Sequence, residues 1–359
     1  MPEPVSRQDL PAAEIRPSER PSQHPSELSP NLDLLRTVAV SLVLLSHLEE
    51  QIYQEQSNPV WGDLGRLGVL LFFVHTALVL MYSMQRSGLS GWPLMKSFYI
   101  RRFFRIYPLS ILAVLIVVAL NWGSASRGFF VGPRPGFGAL LSNLAIVQNL
   151  TGSDYAVVPM WSLPIEVQMY LILPFLFLWR RRSVATMMAL LGASFLLRHF
   201  FIWQLTPRAW YELMEFVPNF LAGVLAFTLP QKKIIPGWLW PPFLALLVVI
   251  YAAFHSRRVG GVLCFLLGWA IPLFKEITFL PLRFVSHKIA TYSYGLYLGH
   301  PFFIAIALVQ HHSWILFWLM WLFIPPIVYY GFEHPAMRLG ARLAEKAAPS
   351  RSALTSVAA

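Results

Sequence analysis

With a single cysteine in 359 residues, Cys264, the chain cannot form an internal disulfide, a CxxC redox pair or a multi-thiolate metal centre. Charge is scarce as well. Only 13% of residues are Asp, Glu, Lys or Arg against 56% hydrophobic, and the mean hydropathy is +0.56, which excludes an ordinary soluble domain. Also missing are the alternating apolar and polar segments of about 10 residues that mark an outer-membrane barrel, and no internal repeat relates the two halves. The net charge of +11 does not signal nucleic-acid binding, because the basic residues stand at the ends of apolar runs, where membrane topology puts them.

What the chain does have is apolar runs close to the roughly 20 residues a helix needs to cross a bilayer. The 13 Trp, 27 Phe and 13 Tyr supply material for interfacial aromatic belts. The expected fold is all-α: a polytopic integral membrane bundle of about ten transmembrane helices, with both termini cytoplasmic. The spans fall at about 31–53, 65–84, 107–122, 160–179, 184–204, 214–230, 237–254, 259–274, 290–310 and 313–332. Residues 1–30 are rich in Pro, Ser and charge and read as a disordered cytoplasmic tail without the apolar core of a signal peptide. A membrane domain then occupies 31–343, and 344–359 reads as a flexible cytoplasmic tail. Asn31 and Asp33 suit the cap of the first span. With both ends inside, 21 of the 28 Lys and Arg are cytoplasmic, while Arg66, Arg127, Arg134, Arg198, Arg208, Arg257 and Arg258 fall on or near the outside. The longest outer connection, about 123–159, is punctuated by Gly and Pro and is long enough to cover a mouth.

Ionisable residues inside the spans are functional candidates because lipid makes them costly. Five stand out: His47, Glu166, Arg198, Glu215 and His300. Arg36 and His47, eleven positions apart, are separated by about 16 Å along a straight helix, so one marks the inner surface and the other lies deep. Glu166 and His47 each lie about six residues from the outer end of their spans. They are expected at similar depth, where the carboxylate could fix the imidazole's tautomer and stabilise positive charge on it. Plainer readings stand beside these. A histidine in an apolar helix can bridge helices, and a buried glutamate can bond a neighbour. Arg101, Arg102 and Arg105 can be positive-inside anchors, as Arg180, Arg181 and Arg182 are, although Arg102 and Arg105 share one helical face suited to phosphate. Trp161 can be an interfacial anchor and Ser162 a helix cap. Arg198, Glu215 and His300 suit structural or pathway roles. Asn149-Leu-Thr151 matches a glycosylation sequon.

Six strings stand in order: Asn31-Leu-Asp-Leu-Leu-Arg36 with His47 beyond it; Gly68-Val-Leu-Leu-Phe-Phe-Val74; Phe98-Tyr-Ile-Arg-Arg-Phe-Phe-Arg-Ile-Tyr-Pro108; Trp161-Ser-Leu-Pro-Ile-Glu-Val-Gln-Met-Tyr170; Tyr292-Ser-Tyr-Gly-Leu-Tyr-Leu-Gly-His300; and Glu333-His-Pro-Ala-Met-Arg338. Together they resemble the type-3 membrane acyltransferase family over roughly residues 31–343. The resemblance implies transfer of an acetyl or other short acyl group from cytoplasmic acyl-CoA to a hydroxyl of a sugar, glycan or lipid-linked acceptor. It places the family's Arg-x10-His pattern on Arg36 and His47, RxxR on Arg102 and Arg105, and WSLxxE on Trp161, Ser162 and Glu166. Two departures are Leu70, where many members carry an acid, and Thr76-Ala77-Leu78 in place of SGF. Expected roles follow: His47 and Glu166 catalytic; Arg36, Arg102 and Arg105 on the donor phosphates; Trp161, Ser162 and His300 shaping the pocket. No metal and no resident cofactor is expected, with acyl-CoA as co-substrate, and the location implied is a bacterial cell membrane. Since the chain ends soon after the last span, no appended extracytoplasmic domain is expected. A transporter or lipid flippase using His and Glu as a proton relay is the competing class, and an inactive scaffold a third; acyl-CoA consumption separates them.

Overall fold

The computed structural model describes residues 29–53, 58–121, 135–179, 183–201 and 208–348; most of the expected N-terminal tail, the first part of the 123–159 connection and the end of the C-terminal tail lie outside these. The described residues form thirteen α-helices, and no strand is among them. In chain order the helices are α1 (Pro30–Tyr53), α2 (Pro59–Arg86), α3 (Gly91–Ala119), α4 (Phe137–Ala145), α5 (Gln148–Thr151), α6 (Ser162–Trp179), α7 (Val184–Phe201), α8 (Arg208–Thr228), α9 (Trp240–Phe254), α10 (Arg257–Ala270), α11 (Leu280–Phe303), α12 (Trp314–Val328) and α13 (His334–Ala347). Each expected span is helical over most of its described residues. Seven helical stretches among the described residues are long and apolar enough to cross a membrane: Pro30–Tyr53, Pro59–Arg86, Gly91–Ala119, Val158–Trp179, Gly237–Phe254, Leu280–Gln310 and Trp314–Ala347. The helices at α7, α8 and α10 are not among these seven.

Several helices outrun the apolar stretch that announces them. α3 begins at Gly91 rather than near 107, so its basic run Arg101–Arg105 is helical, and the chain continues through α13 to Ala347, past the expected start of a flexible tail. Pro325 and Pro326 withhold two amide hydrogens within α12, and the turn that follows, Tyr329–Glu333, widens to a π-helix before α13. Pro301 likewise precedes a π-helical stretch at Ile304–Gln310.

Close packing at the centre depends on glycine. A Cβ on Gly68 of α2 would strike the backbone carbonyl of Ala39 in α1, and one on Gly223 of α8 would strike the carbonyl of Val74 in α2. Small residues let helix backbones approach in this way where lipid offers no hydrophobic drive. The first span's expected cap residues serve as long-range staples: Asn31 donates to Lys275 O at 2.9 Å and accepts from Ile277 N at 3.1 Å, while Asp33 pairs with His287 at 2.9 Å.

The described part of the outer connection is folded around Asn143, which is 1% exposed and bonds Ala139 O, Asp154 O, Ala156 N and Gln148. Asn149 is 3% exposed and exchanges amide hydrogen bonds with Gln168 of α6. In the fold the amide of Asn149 is thus engaged in packing against α6.

Candidate active site

A half-open cavity of about 60 Å³ lies between α1, α2, α6 and α11, lined by Arg36, Val69, Phe72, Phe73, Thr76, Ser162, Leu163, Glu166, Ser293, Tyr294 and Tyr297. Its polar end is a connected network. The Tyr170 hydroxyl donates to Glu166, and the charges of Arg36, Arg102 and Arg105 all act on the Glu166 carboxylate. Nε of Arg36 is buried without a hydrogen-bond partner. On the opposite wall, Tyr294 donates to Ile106 O at 2.8 Å and accepts from Ser110 at 2.7 Å, with the Arg105 guanidinium 5.1 Å from its ring centre.

Ser162 opens α6 and donates at 2.8 Å to the Tyr297 hydroxyl, which in turn donates to Pro159 O. These bonds fix the level at which α6 begins. One turn along α11 from Tyr297, His300 is 2% exposed, and its Nε2 lies 2.8 Å from Nδ1 of His47; the two ring planes are parallel to within 9° with centroids 4.9 Å apart, as an in-plane hydrogen bond requires. Ser162 thus sits at the level of Tyr297 and His47 at that of His300. At 1.5 Å per residue, three residues of α11 and four of α6 put Glu166 roughly 10 Å closer than His47 to the Arg36 end of α1. The expected meeting of His47 with Glu166 is accordingly replaced by two contacts, His47 with His300 and Glu166 with Tyr170. The equal-depth estimate takes α6 to start at the outer surface, whereas the chain before it folds inward and α6 starts inside the bundle.

A second pocket, of about 280 Å³, opens where α2 meets α3, lined by Ser83, Met84, Arg86, Ser87, Leu94, Ser97, Phe98, Arg101 and Arg102. Three guanidinium groups and three hydroxyls converge there, and no carboxylate is among the lining residues. Arg102 acts toward both spaces: it lines this pocket, and its charge is felt by Tyr170 and by Glu166, which bond each other at the cavity. Arg105, one turn on, turns to a partner of its own, bonding Glu333 at 2.6 Å. Glu333 is 3% exposed and ends the π-helical turn after α12.

At the other end of the bundle Arg66 pairs with Glu215, which Arg198 and Arg257 approach to 3.8 Å and 3.6 Å. The Arg66 guanidinium stands 5.3 Å from the Phe216 ring centre, and Phe216 packs on Trp161 at 5.4 Å. Trp161 is thereby half-buried against α8 as part of the wall near Ser162. Sequence reasoning passes over Tyr170, Tyr294, Tyr297 and Glu333, all inside the recognised strings. It also passes over His75, 4% exposed in α2, whose Nδ1 has no hydrogen-bond partner and whose ring feels the charge of Arg36. A count of every ionisable residue in the apolar runs would have found His75.

A helical membrane bundle with an arginine-rich entrance and a buried His, Glu and Tyr interior defines the class. The chain belongs to the acyltransferase 3 family, whose acyltransferase domain matches residues 29–332. A similar protein is the peptidoglycan O-acetyltransferase OatA of Listeria monocytogenes, 25% identical over 327 residues, a match covering 78% of this chain and 50% of that protein. This chain therefore spans about half the length of the curated relative it matches. No solved structure matches it.

Proposed function

We propose that the protein is a multi-pass O-acyltransferase of a bacterial cell membrane, moving an acetyl or other short acyl group from cytoplasmic acyl-CoA to a hydroxyl of a sugar, glycan or lipid-linked acceptor. In this proposal residues 31–343 form the catalytic domain with about ten spans and both termini inside. The observation that carries it is the pair of spaces joined at Arg102 and Tyr170: a basic, hydroxyl-lined pocket on one side and a half-polar cavity on the other, with His47 beyond. A donor with phosphates at one end and a thioester at the other fits such a path. Arginine suits phosphate because its planar fork gives paired, charge-assisted hydrogen bonds. Arg102 and its neighbours take the phosphates, Arg36 and Arg105 complete the basic lining farther in, and the thin pantetheine arm passes Tyr170. The O-acetyltransferase activity in the name of the Listeria relative supports the same class of acceptor chemistry.

At the far end His47 removes the acceptor's hydroxyl proton as the oxygen attacks the thioester carbon. The carbon–sulfur bond then breaks, and the CoA thiolate takes the proton back from His47. Transfer through an acyl-His47 intermediate uses the same lone pair, and rapid-quench trapping of acyl-protein distinguishes the two. Glu166 balances the arginines and holds Tyr170, while Trp161, Ser162 and His300 shape the wall. The test is thiol release from acetyl-CoA by the purified protein in nanodiscs, with and without hydroxyl-bearing glycan. Acceptor-dependent release is expected; no thioester consumption with any glycan offered would overturn the proposal.

A further inference from the structure

We infer that His300 is the positioning residue of the transfer, holding His47 in the tautomer that leaves its Nε2 without a proton. This rests on the reading of His47 given above, but the argument for the tautomer is geometric. Nδ1 of His300 lies 3.3 Å from the carbonyl oxygen of Leu296, one turn back on α11. A carbonyl oxygen only accepts, so that nitrogen carries the hydrogen. At 2% exposure the ring is favoured neutral, because a buried charge without a counterion is costly. Nε2 of His300 is then a lone pair. It faces Nδ1 of His47 at 2.8 Å, and two lone pairs at that distance would repel, so Nδ1 of His47 donates. A neutral imidazole carries one ring hydrogen, which leaves Nε2 of His47 as the basic and nucleophilic nitrogen.

The arrangement is held from behind. Tyr297 packs on His300 with ring centroids 6.1 Å apart, and its hydroxyl is tied to Pro159 and Ser162 at the start of α6. His300 thus has its own hydrogen bonded and its ring packed before substrate arrives. During transfer the acceptor's proton goes to Nε2 of His47, the hydroxyl oxygen bonds the acyl carbon, and the thiolate leaves. In that moment Nδ1–H of the imidazolium donates to neutral His300, a charge-assisted bond stronger than the resting one. The proton then passes from Nε2 to the thiolate, and both rings return to their starting state. The part that spacing alone assigns to a carboxylate falls to a second imidazole.

Two measurements test this. In protein with 15N-labelled histidine, solid-state NMR of the wild type should show His47 protonated at Nδ1 and not at Nε2; the opposite pattern overturns the inference. His300→Phe keeps an aromatic ring and removes the acceptor, whereas His300→Gln restores an acceptor oxygen. We expect kcat to fall at least about 10²-fold in the Phe variant, the scale of losing a properly placed base. KM for acetyl-CoA should stay within about twofold, and the Gln variant should recover at least a tenth of wild-type kcat. A Phe variant within about threefold of wild type, or a Gln variant as impaired as Phe, overturns the inference. If the wild type consumes no thioester, the acyl-transfer reading fails by itself, and the NMR pattern of the wild type alone decides the tautomer.

Discussion

Replacing Arg105 and replacing Arg102 should injure the protein in different ways, although the two stand one turn apart on α3 and share a sequence motif. Arg105 bonds Glu333 at 2.6 Å, and the side chains are only 15% and 2% exposed. In Arg105→Ala the Glu333 carboxylate stays buried; its Oε1 already has no hydrogen-bond partner and its Oε2 would lose one. Breaking a buried pair from one side costs about 3–5 kcal/mol. Arg36 also acts on Glu333, so the lower end of that range applies, and melting should fall by on the order of 5 °C. Arg102 lines the entrance pocket and bonds no carboxylate among the described residues, so its removal leaves none orphaned. Arg102→Ala should leave melting nearly unchanged and cost about 1.5–3 kcal/mol of donor binding, a roughly ten- to hundredfold rise in KM for acyl-CoA. The discriminating variant removes both partners: Arg105→Met with Glu333→Leu should regain most of the lost melting temperature, because an apolar replacement of a buried pair is near neutral or better. Thermal scans in nanodiscs and donor titrations read the two effects. An Arg105→Ala protein that melts like wild type yet binds acyl-CoA tenfold more weakly would refute this division and make Arg105 a phosphate ligand first.

Three further outcomes are expected. His47→Ala should lose at least about 10²-fold in acyl transfer while staying folded and inserted; more than a few per cent residual activity makes His47 a structural bridge. Glu166→Gln keeps the shape but removes the charge that faces Arg36, Arg102 and Arg105, so turnover should fall more than about tenfold; near-wild-type turnover would show that the carboxylate's charge is idle. Gly223→Val drives a side chain into the Val74 carbonyl and must part α8 from α2, at a cost of roughly 1–3 kcal/mol by overpacking, and an unchanged melting curve would deny the close approach.

The helices were legible in the sequence because lipid imposes one rule on each of them: bury the backbone polar groups in a helix and cover it with apolar side chains. That rule places α1, α2 and α6 to within a few residues. It says less where a helix leaves the apolar zone, which is why α3 starts about sixteen residues before the expected span and α13 follows α12 without a break. The candidate residues were legible as residue types in order, but their pairing was not. Depth counted from a span's end assumes that the end lies at the surface. For α6 that assumption fails, because Pro159 and Ser162 are drawn inward to Tyr297. Contacts such as Arg105 with Glu333, 228 positions apart, have no local signal at all.

The tyrosines explain how one bundle can keep two polar spaces apart. Arginines at an entrance and a carboxylate in an interior cavity would, left facing each other across open space, draw water through the bundle. Here Tyr170 gives its hydrogen to Glu166 and stands within the field of Arg102, with Phe98 edge-on to its ring at 6.1 Å. Tyr170 therefore satisfies the carboxylate with a neutral group on the side that faces Arg102. Tyr294 and Tyr297 serve the same end on α11, each donating to a backbone carbonyl of another segment and accepting from a serine. A hydroxyl on a ring closes a polar network without adding charge to the membrane interior. On the proposed reaction, a narrow flexible arm needs to shift one side chain to pass, whereas an ion-pair barrier would have to be torn open. Such a barrier keeps the donor's aqueous side sealed until the donor itself opens it.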